Sequence, residues 1–322
     1  MTGLNFRPLA LAAAIAAAPA FAHAQEQDLG WSPQGPVTML IAFAAGGGAD
    51  SLARLLAEEL NARYDWEVIP QNVTGRGGVV MAQHLAGEPA DGMTVGVSVS
   101  EATTYAVQAA RDPGFDVSSF DYLSTITGTQ MGIIAKADRG WDNIGDVIEA
   151  AKSGEQITVG SMTQKLADAT YVLGKNNGIE FTNVMTSGGR GGMNAVIADD
   201  VDIAWSAGAQ AQGVEAGDLI NLTSAEAEPL QVSPDAPMIG DFNFDYDMGV
   251  MFLVMAPAGL PEDAKTAWAT AIETIVTDEE TQINALTNRA FSGPQILNGE
   301  ELSQAMQESY DAAGRLLDES AE

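Results

Sequence analysis

The chain has 322 residues, with 44 Asp plus Glu against 14 Lys plus Arg, a formal net charge of -30, two histidines and no cysteine. That balance excludes the basic stripe with which a nucleic-acid binder neutralises phosphates, and it argues against docking on an anionic membrane surface. The missing cysteines exclude disulfides, thiolate nucleophiles and Cys-ligated zinc or iron–sulfur centres, while 46% hydrophobic and 18% charged residues describe a globular chain.

Residues 1–24 read as a secretory signal peptide. Arg7 supplies the positive start, Leu9 to Ala18 the apolar stretch, and Ala22-His23-Ala24 the cleavage site before Gln25. Removing them gives an exported, periplasmic chain of charge -31 with His84 as its sole imidazole. Val37 to Phe43 is an apolar run predicted to be a buried strand. It enters Ala44-Ala45-Gly46-Gly47-Gly48-Ala49-Asp50 and then a helix over Ser51 to Asn61, with Asp50 as its N-cap. Trp66 to Pro70 and Met93 to Val99 are the next strands, separated by the turn-rich Asn72-Val73-Thr74-Gly75-Arg76-Gly77-Gly78. Further on come helix Asn143 to Lys152, strand Ile157 to Gly160, helix Ala167 to Asn177 with Gly178 as its stop, and strand Asn183 to Thr186. Helix Met193 to Ala198, strand Val201 to Ser206, the apolar strand Gly249 to Ala256 and three closing helices, from Leu260-Pro261, Glu279 and Gly299, complete the pattern.

Strands alternating with helices indicate parallel α/β layers. About 298 residues after the signal peptide are long for one open sheet, so the expectation is two lobes joined by two crossings, near 125–130 and 246–252. Lobe 1 would be 25–127 plus 248–322 and lobe 2 would be 128–247, which carries 18 acids against 6 bases. No short repeat is evident.

Gly46-Gly47-Gly48, between a strand end and a helix start, suits an anion held by backbone amides and the helix dipole. Neither GxxxxGK[ST] nor GxGxxG is present, which excludes a P-loop and a Rossmann fingerprint. Several segments resemble the tripartite tricarboxylate transporter substrate-binding proteins of the TctC or Bug type. These are the first glycine loop with Arg54 downstream, Asn72 with Gly75 and Gly77-Gly78, and Pro89-Ala90-Asp91-Gly92-Met93-Thr94. Gly160-Ser161, Gly188-Gly189, Val201-Asp202-Ile203 and Met255-Ala256-Pro257-Ala258-Gly259-Leu260-Pro261 follow in the family's order. The resemblance covers the mature chain. It implies a two-lobe, periplasmic-binding-protein-like (type II) α/β fold with a ligand cleft between the lobes. It also implies a non-catalytic receptor, a monomer without cofactor, that passes a small carboxylate to large and small membrane permease subunits. A sensor subunit or an enzyme on the same fold is the alternative. The sequence departs from the family at Ala45, where Pro is usual, and across 161–168, which lacks the family's further glycines and His. It departs again at Thr186-Ser187-Gly188-Gly189-Arg190 and at Trp205 to Gly208, so the first lobe follows the pattern more closely than the second.

Ligands of open α/β sheets sit beyond the carboxyl ends of strands. That rule gathers Phe43, Ala44, Ala45, Gly46, Gly47 and Asp50 with Ser98, Ser100 and Thr103 from lobe 1. From lobe 2 it gathers Ser161, Thr163, Lys165, Ser187, Gly188, Arg190, Trp205 and Ser206. Gly46 and Gly47 are expected to give amides to one carboxylate, the Ser and Thr residues hydroxyl donors, and Lys165 and Arg190 positive charge at the distal end. Arg76 reads as a solvated loop residue. Asp241 to Asp247 begins like an EF-hand loop but has Tyr246 and Phe252 where Gly and Glu are needed. His84 and Asp199-Asp200 read as structural and solvated, and no GxSxG elbow accompanies the imidazole.

Overall fold

The computed structural model describes residues 29–322, so the signal-peptide segment lies outside the described residues. In chain order the elements are β1 Val37–Ile41, α1 Gly48–Tyr64, β2 Val68–Asn72, α2 Val79–Ala86, β3 Thr94–Val99, α3 Tyr105–Ala109, β4 Phe120–Gly128 and β5 Met131–Lys136. They continue with α4 Ile144–Lys152, β6 Ile157–Ser161, α5 Gln164–Asn177, β7 Phe181–Met185, α6 Gly188–Ile197, β8 Ile203–Ala207, α7 Ala211–Glu215 and β9 Leu219–Ser224. The last are β10 Met251–Pro257, α8 Glu262–Thr277, α9 Gln282–Ala290 and α10 Gly299–Ala321. The alternation comes from local patterning. In α1, Leu52, Leu56 and Leu60 recur every fourth residue and are buried, and Asp65 ends the helix in the left-handed region. Asn143 and Asp146 form a capping box at α4, while Thr163 caps α5 and left-handed Gly178 closes it.

Among the described residues the strands form two five-stranded sheets of one topology, β2-β1-β3-β10-β4 and β7-β6-β8-β5-β9. In each, three strands run parallel and the next is antiparallel to its neighbours. Matching by position pairs β1 with β6, β2 with β7 and β3 with β8. The antiparallel strand of each sheet, β10 or β5, is the one that enters through a crossing. The apolar residues of α1 and α8 cover one face of the first sheet, and α2 and the start of α10 cover the other. The second sheet is covered by α4 and α5 on one side and α6 on the other. This is a two-lobe, type II periplasmic-binding-protein architecture.

The crossings are tied to each other. The Thr129 hydroxyl donates to Glu226 Oε1 (2.7 Å) and accepts from the Val250 amide (3.1 Å), and the Met131 amide also donates to Glu226 Oε1 (2.7 Å). Helix α10 spans the joint. Gln108 of α3 donates to the Tyr310 carbonyl (2.7 Å), while Asn176 (3.0 Å) and Tyr246 (2.5 Å) donate to the Glu319 carboxylate.

Trp268 is fully buried, with its ring centroid 4.7 Å from that of Trp66, and Trp31 packs edge-on against Trp66. Trp268→Ala leaves a large void in the first-sheet core, and a loss of about 3–5 kcal/mol is expected, measured by urea unfolding against the wild type.

Candidate functional site

The loop between β1 and α1 is built around one carboxylate. Asp50 is buried in the first turn of α1 and accepts from the Gly46 amide (2.9 Å), Arg54 Nε (2.9 Å) and Asn72 Nδ2 (2.8 Å). Asn72 also donates to the Phe43 carbonyl (2.9 Å) and accepts from Arg54 Nη2 (2.9 Å), so the end of β2 braces the loop. Burial alone would push the Asp50 pKa up. The bonds from Arg54, Gly46 and Asn72 outweigh it and hold the carboxyl below the usual range. Three expectations change here. Asp50 is neither an N-cap nor a ligand donor; it is the third helical residue, reaching back to the loop. The Gly46 amide belongs to Asp50, and the Gly47 amide is given to the Ala44 carbonyl (3.3 Å). The amides left without an acceptor among the described residues flank that pair: Phe43, Ala44 and Ala45 before it, Gly48, Ala49 and Asp50 after it. Free N–H groups and the positive end of the dipole make this helix start able to receive an anion.

In the loop after β3 the hydroxyls divide. Ser98 is fully buried with no hydrogen-bond partner, and its Oγ lies 3.4 Å from where a Cβ on Gly78 would stand. Ser100 Oγ accepts from the Met251 amide (3.1 Å) and Thr103 Oγ1 accepts from the Tyr122 hydroxyl (3.1 Å), so these two brace the loop against β10 and β4. In the second lobe Ser161 is buried and donates to Asn183 Oδ1 (2.5 Å), and Thr163 Oγ1 accepts from the Leu166 amide (3.4 Å). Ser187 and Gly188 are exposed at the start of α6, where the Gly189 and Arg190 amides have no acceptor among the described residues. The Arg190 side chain is exposed and unpaired. Ser206 is fully buried and unpartnered, as Ser98 is, and the two occupy matching strands. Trp205 is not a ligand platform: it is buried in the second-sheet core, with its indole N–H on Thr170 Oγ1 (2.8 Å).

The carboxyl ends of the two sheets face each other and touch in two places. One contact is polar. Tyr105 donates to Asp168 across the lobes, and buried Glu101 meets Thr163 and Lys165. Burial pushes the Glu101 pKa up while Lys165 and Thr163 act against the rise; burial pushes Lys165 down against Glu101 and Asp247. Lys165 lies within the electrostatic reach of these two acids and, with Ser100, lines a cavity of about 560 Å³ on the side of the crossings. The other contact runs through the segment after α9, where Gln231 Nε2 donates to the Ser292 carbonyl (3.0 Å). A Cβ on Gly48 would lie 3.0 Å from the Phe291 ring, and left-handed Gly208 abuts the Ala290 carbonyl with Phe291 beside it. Phe291 stacks edge-on against Phe252 at 5.0 Å. Glu101, Asn183, Phe252 and Phe291 are the functional-region residues that sequence patterning missed, because each acts through a partner far away in the chain. Among the described residues no group of three or more metal-ligating side chains converges, and no helix is long and apolar enough to cross a membrane.

Comparison with known proteins follows the same outline. The model of the tripartite tricarboxylate transporter family receptor matches residues 52–321. A Cupriavidus necator relative described as a UPF0065 protein in the gbd 5' region is 27% identical over 76% of this chain and 74% of its own length. Among solved structures, R. palustris Rpa4515 with adipate superposes with a TM-score of 0.77 at 20% identity, covering 90% of this chain and 98% of that one. MatC from Rhodopseudomonas palustris with bound malate gives 0.73 at 20% identity, covering 90% and 100%.

The crossing region makes one pH prediction. Burial and the neighbouring Asp247 raise the Glu226 pKa to about 7, although the bonds from Thr129 and Met131 oppose them. The native state then holds a proton that the unfolded chain has already lost. Its stabilising effect is complete below about 4.5 and disappears as pH rises through about 7. Glu226→Gln keeps the Oε1 acceptor and cannot titrate. Its stability relative to wild type is expected to climb by on the order of 3 kcal/mol between those limits and then stay level, read by urea unfolding across a pH series.

Proposed function

The chain belongs to the tripartite tricarboxylate transporter receptor family, and from that premise we propose that it holds a small carboxylate between the carboxyl ends of its two sheets. It is a periplasmic solute-binding receptor, not an enzyme, and it delivers its ligand to a membrane permease. Membership implies a carboxylate ligand and permease subunits of the family's large and small kinds. The observation that carries the binding reading is the pairing of unsatisfied donors on opposed surfaces. The amides of Phe43, Ala44, Ala45 and Gly48 in one lobe, and those of Gly189 and Arg190 in the other, lack an acceptor among the described residues, each set at a helix start that follows a strand's carboxyl end. Ser98 and Ser206, buried and unpartnered on matching strands, add two hydroxyls behind them. Backbone donors at a helix dipole suit a carboxylate and leave the selection of its remainder to the second lobe. Adipate and malate in similar folds support that class.

Closure is the proposed response to ligand. Lobe 1 (25–127 and 248–322) and lobe 2 (128–247) rotate about the crossings at Thr129 and Val250, and binding selects the closed arrangement. Isothermal titration with malate, adipate, citrate, aspartate and benzoate is expected to give saturable binding of at least one; no heat and no rise in melting temperature with any of them overturns the carboxylate reading. For export, we expect cleavage after Ala24. The intact mass of protein recovered from the periplasmic fraction should correspond to a chain beginning at Gln25, and recovery of a chain that retains residues 1–24 overturns it.

A further inference from the structure

The two lobes share a feature that the comparison of their topologies makes visible. Gly75-Arg76-Gly77-Gly78 follows β2, the outer strand of the first sheet, and Gly189-Arg190-Gly191-Gly192 follows β7, the matching outer strand of the second. The first leads into α2, and the second forms the opening turns of the matching helix α6. In each, the last glycine packs tightly on the strand that carries the buried, unpartnered serine. A Cβ on Gly78 would lie 2.7 Å from Ala102 Cβ and 3.4 Å from Ser98 Oγ; one on Gly192 would lie 3.2 Å from the Trp205 carbonyl, next to Ser206. The repeat that was not evident in the sequence is therefore a repeat of place, one copy on each side of the cleft.

Both arginines are exposed and make no ion pair or hydrogen bond among the described residues. Seven other described basic side chains are in ion pairs, as an excess of acids this large favours. Arg76 is also strained. Its φ is +50°, and the other non-glycine residues with positive φ are Asp65, Asp112, Asp199 and Asn243, side chains that tolerate this region. A β-carbon held there between Gly75 (φ +139°) and Gly77 (φ +65°) fits a functional constraint better than a folding one. The lobe 2 copy reaches its position differently, with Arg190 in the first turn of α6.

We propose that Arg76 and Arg190 are a paired anion clamp at the mouth of the cleft, one guanidinium from each lobe, selecting a ligand with a carboxylate at each end. Each outer strand lies at the sheet edge away from the crossings, and each arginine follows the carboxyl end of its outer strand, so the clamp takes one guanidinium from each of two matching edges. A guanidinium pairs bidentately with a carboxylate, and one from each lobe lets a doubly charged ligand bridge the lobes. A monocarboxylate satisfies only one. The idea rests on the carboxylate cleft argued above.

The test compares succinate and adipate with butyrate by isothermal titration on the whole mature chain. The wild type is expected to prefer a dicarboxylate, and Arg76→Gln and Arg190→Gln are each expected to weaken it by about ten- to a hundred-fold and erase the preference. Arg111→Gln, an unpaired arginine in the loop after α3, should change nothing. Arg76→Gly separates folding from binding: glycine relieves the left-handed backbone, so the melting temperature should rise while affinity falls. Unchanged dicarboxylate affinity in either Gln variant, or a wild type that binds butyrate as well as the dicarboxylates, overturns the clamp and leaves the receptor reading intact. A wild type that binds none of the three but another carboxylate of the panel above overturns the clamp alone, and one that binds none of that panel either overturns the carboxylate reading itself.

Discussion

Each sheet takes one inner strand from across a crossing, and the antiparallel pairing of β10 with β3 and of β5 with β8 aims both sets of strand ends at one space. Everything that bears on ligand depends on that exchange. It brings the segment after β8 to Ala290 and Phe291, which Gly48 in the loop after β1 also abuts, and the loop after β3 to the start of α5. One contact carries ionisable side chains and the other does not. Glu101, Tyr105, Lys165 and Asp168 form the first, and Gly48, Gly208 and Phe291 form the second.

The charge distribution reads differently beside this geometry. An acidic surface does not draw an anion in, but at physiological salt the screening length is about 8 Å, so donors at the cleft act over most of a small ligand's length. The structure spends little positive charge inside. Lys165 lies within the electrostatic reach of Glu101 and Asp247, which offset its charge. What remains on the ligand side is mostly backbone, whose dipoles are fixed before the ligand arrives and need no reorganisation.

Much of the fold was legible because its parallel strands are short apolar runs bounded by glycine and proline. Val37 to Ile41 and Met251 to Pro257 lie within or close to the runs the sequence marks. Strands β4, β5 and β9 were not legible. Phe120–Gly128 mixes apolar residues with Ser and Thr, and its buried hydroxyls are satisfied by the distant 293–297 segment. In the site, composition located the loops but not the direction of their amides. Asp50 follows the glycines as an N-cap would, and only its bonds to Gly46, Arg54 and Asn72 reveal that it consumes a donor. Trp205 misleads in the same way: a tryptophan at a strand end suits a stacking surface until the ring is seen facing α5. The repeated G-R-G-G did not stand out in the sequence, because its meaning requires the strand order: α6 takes its copy into the helix and α2 does not.

Helix α10 holds both halves, through Tyr310 on one side and Glu319 on the other, within about three turns of helix. A strut fastened across a joint at two close points resists shear far more than it resists bending. The joint's stiffness then resides in the chain's tail, outside the cleft and apart from the crossings. Substitutions on that helix can retune how readily the lobes part without touching any group that meets the ligand, so selectivity and mechanical compliance can drift independently in such a molecule.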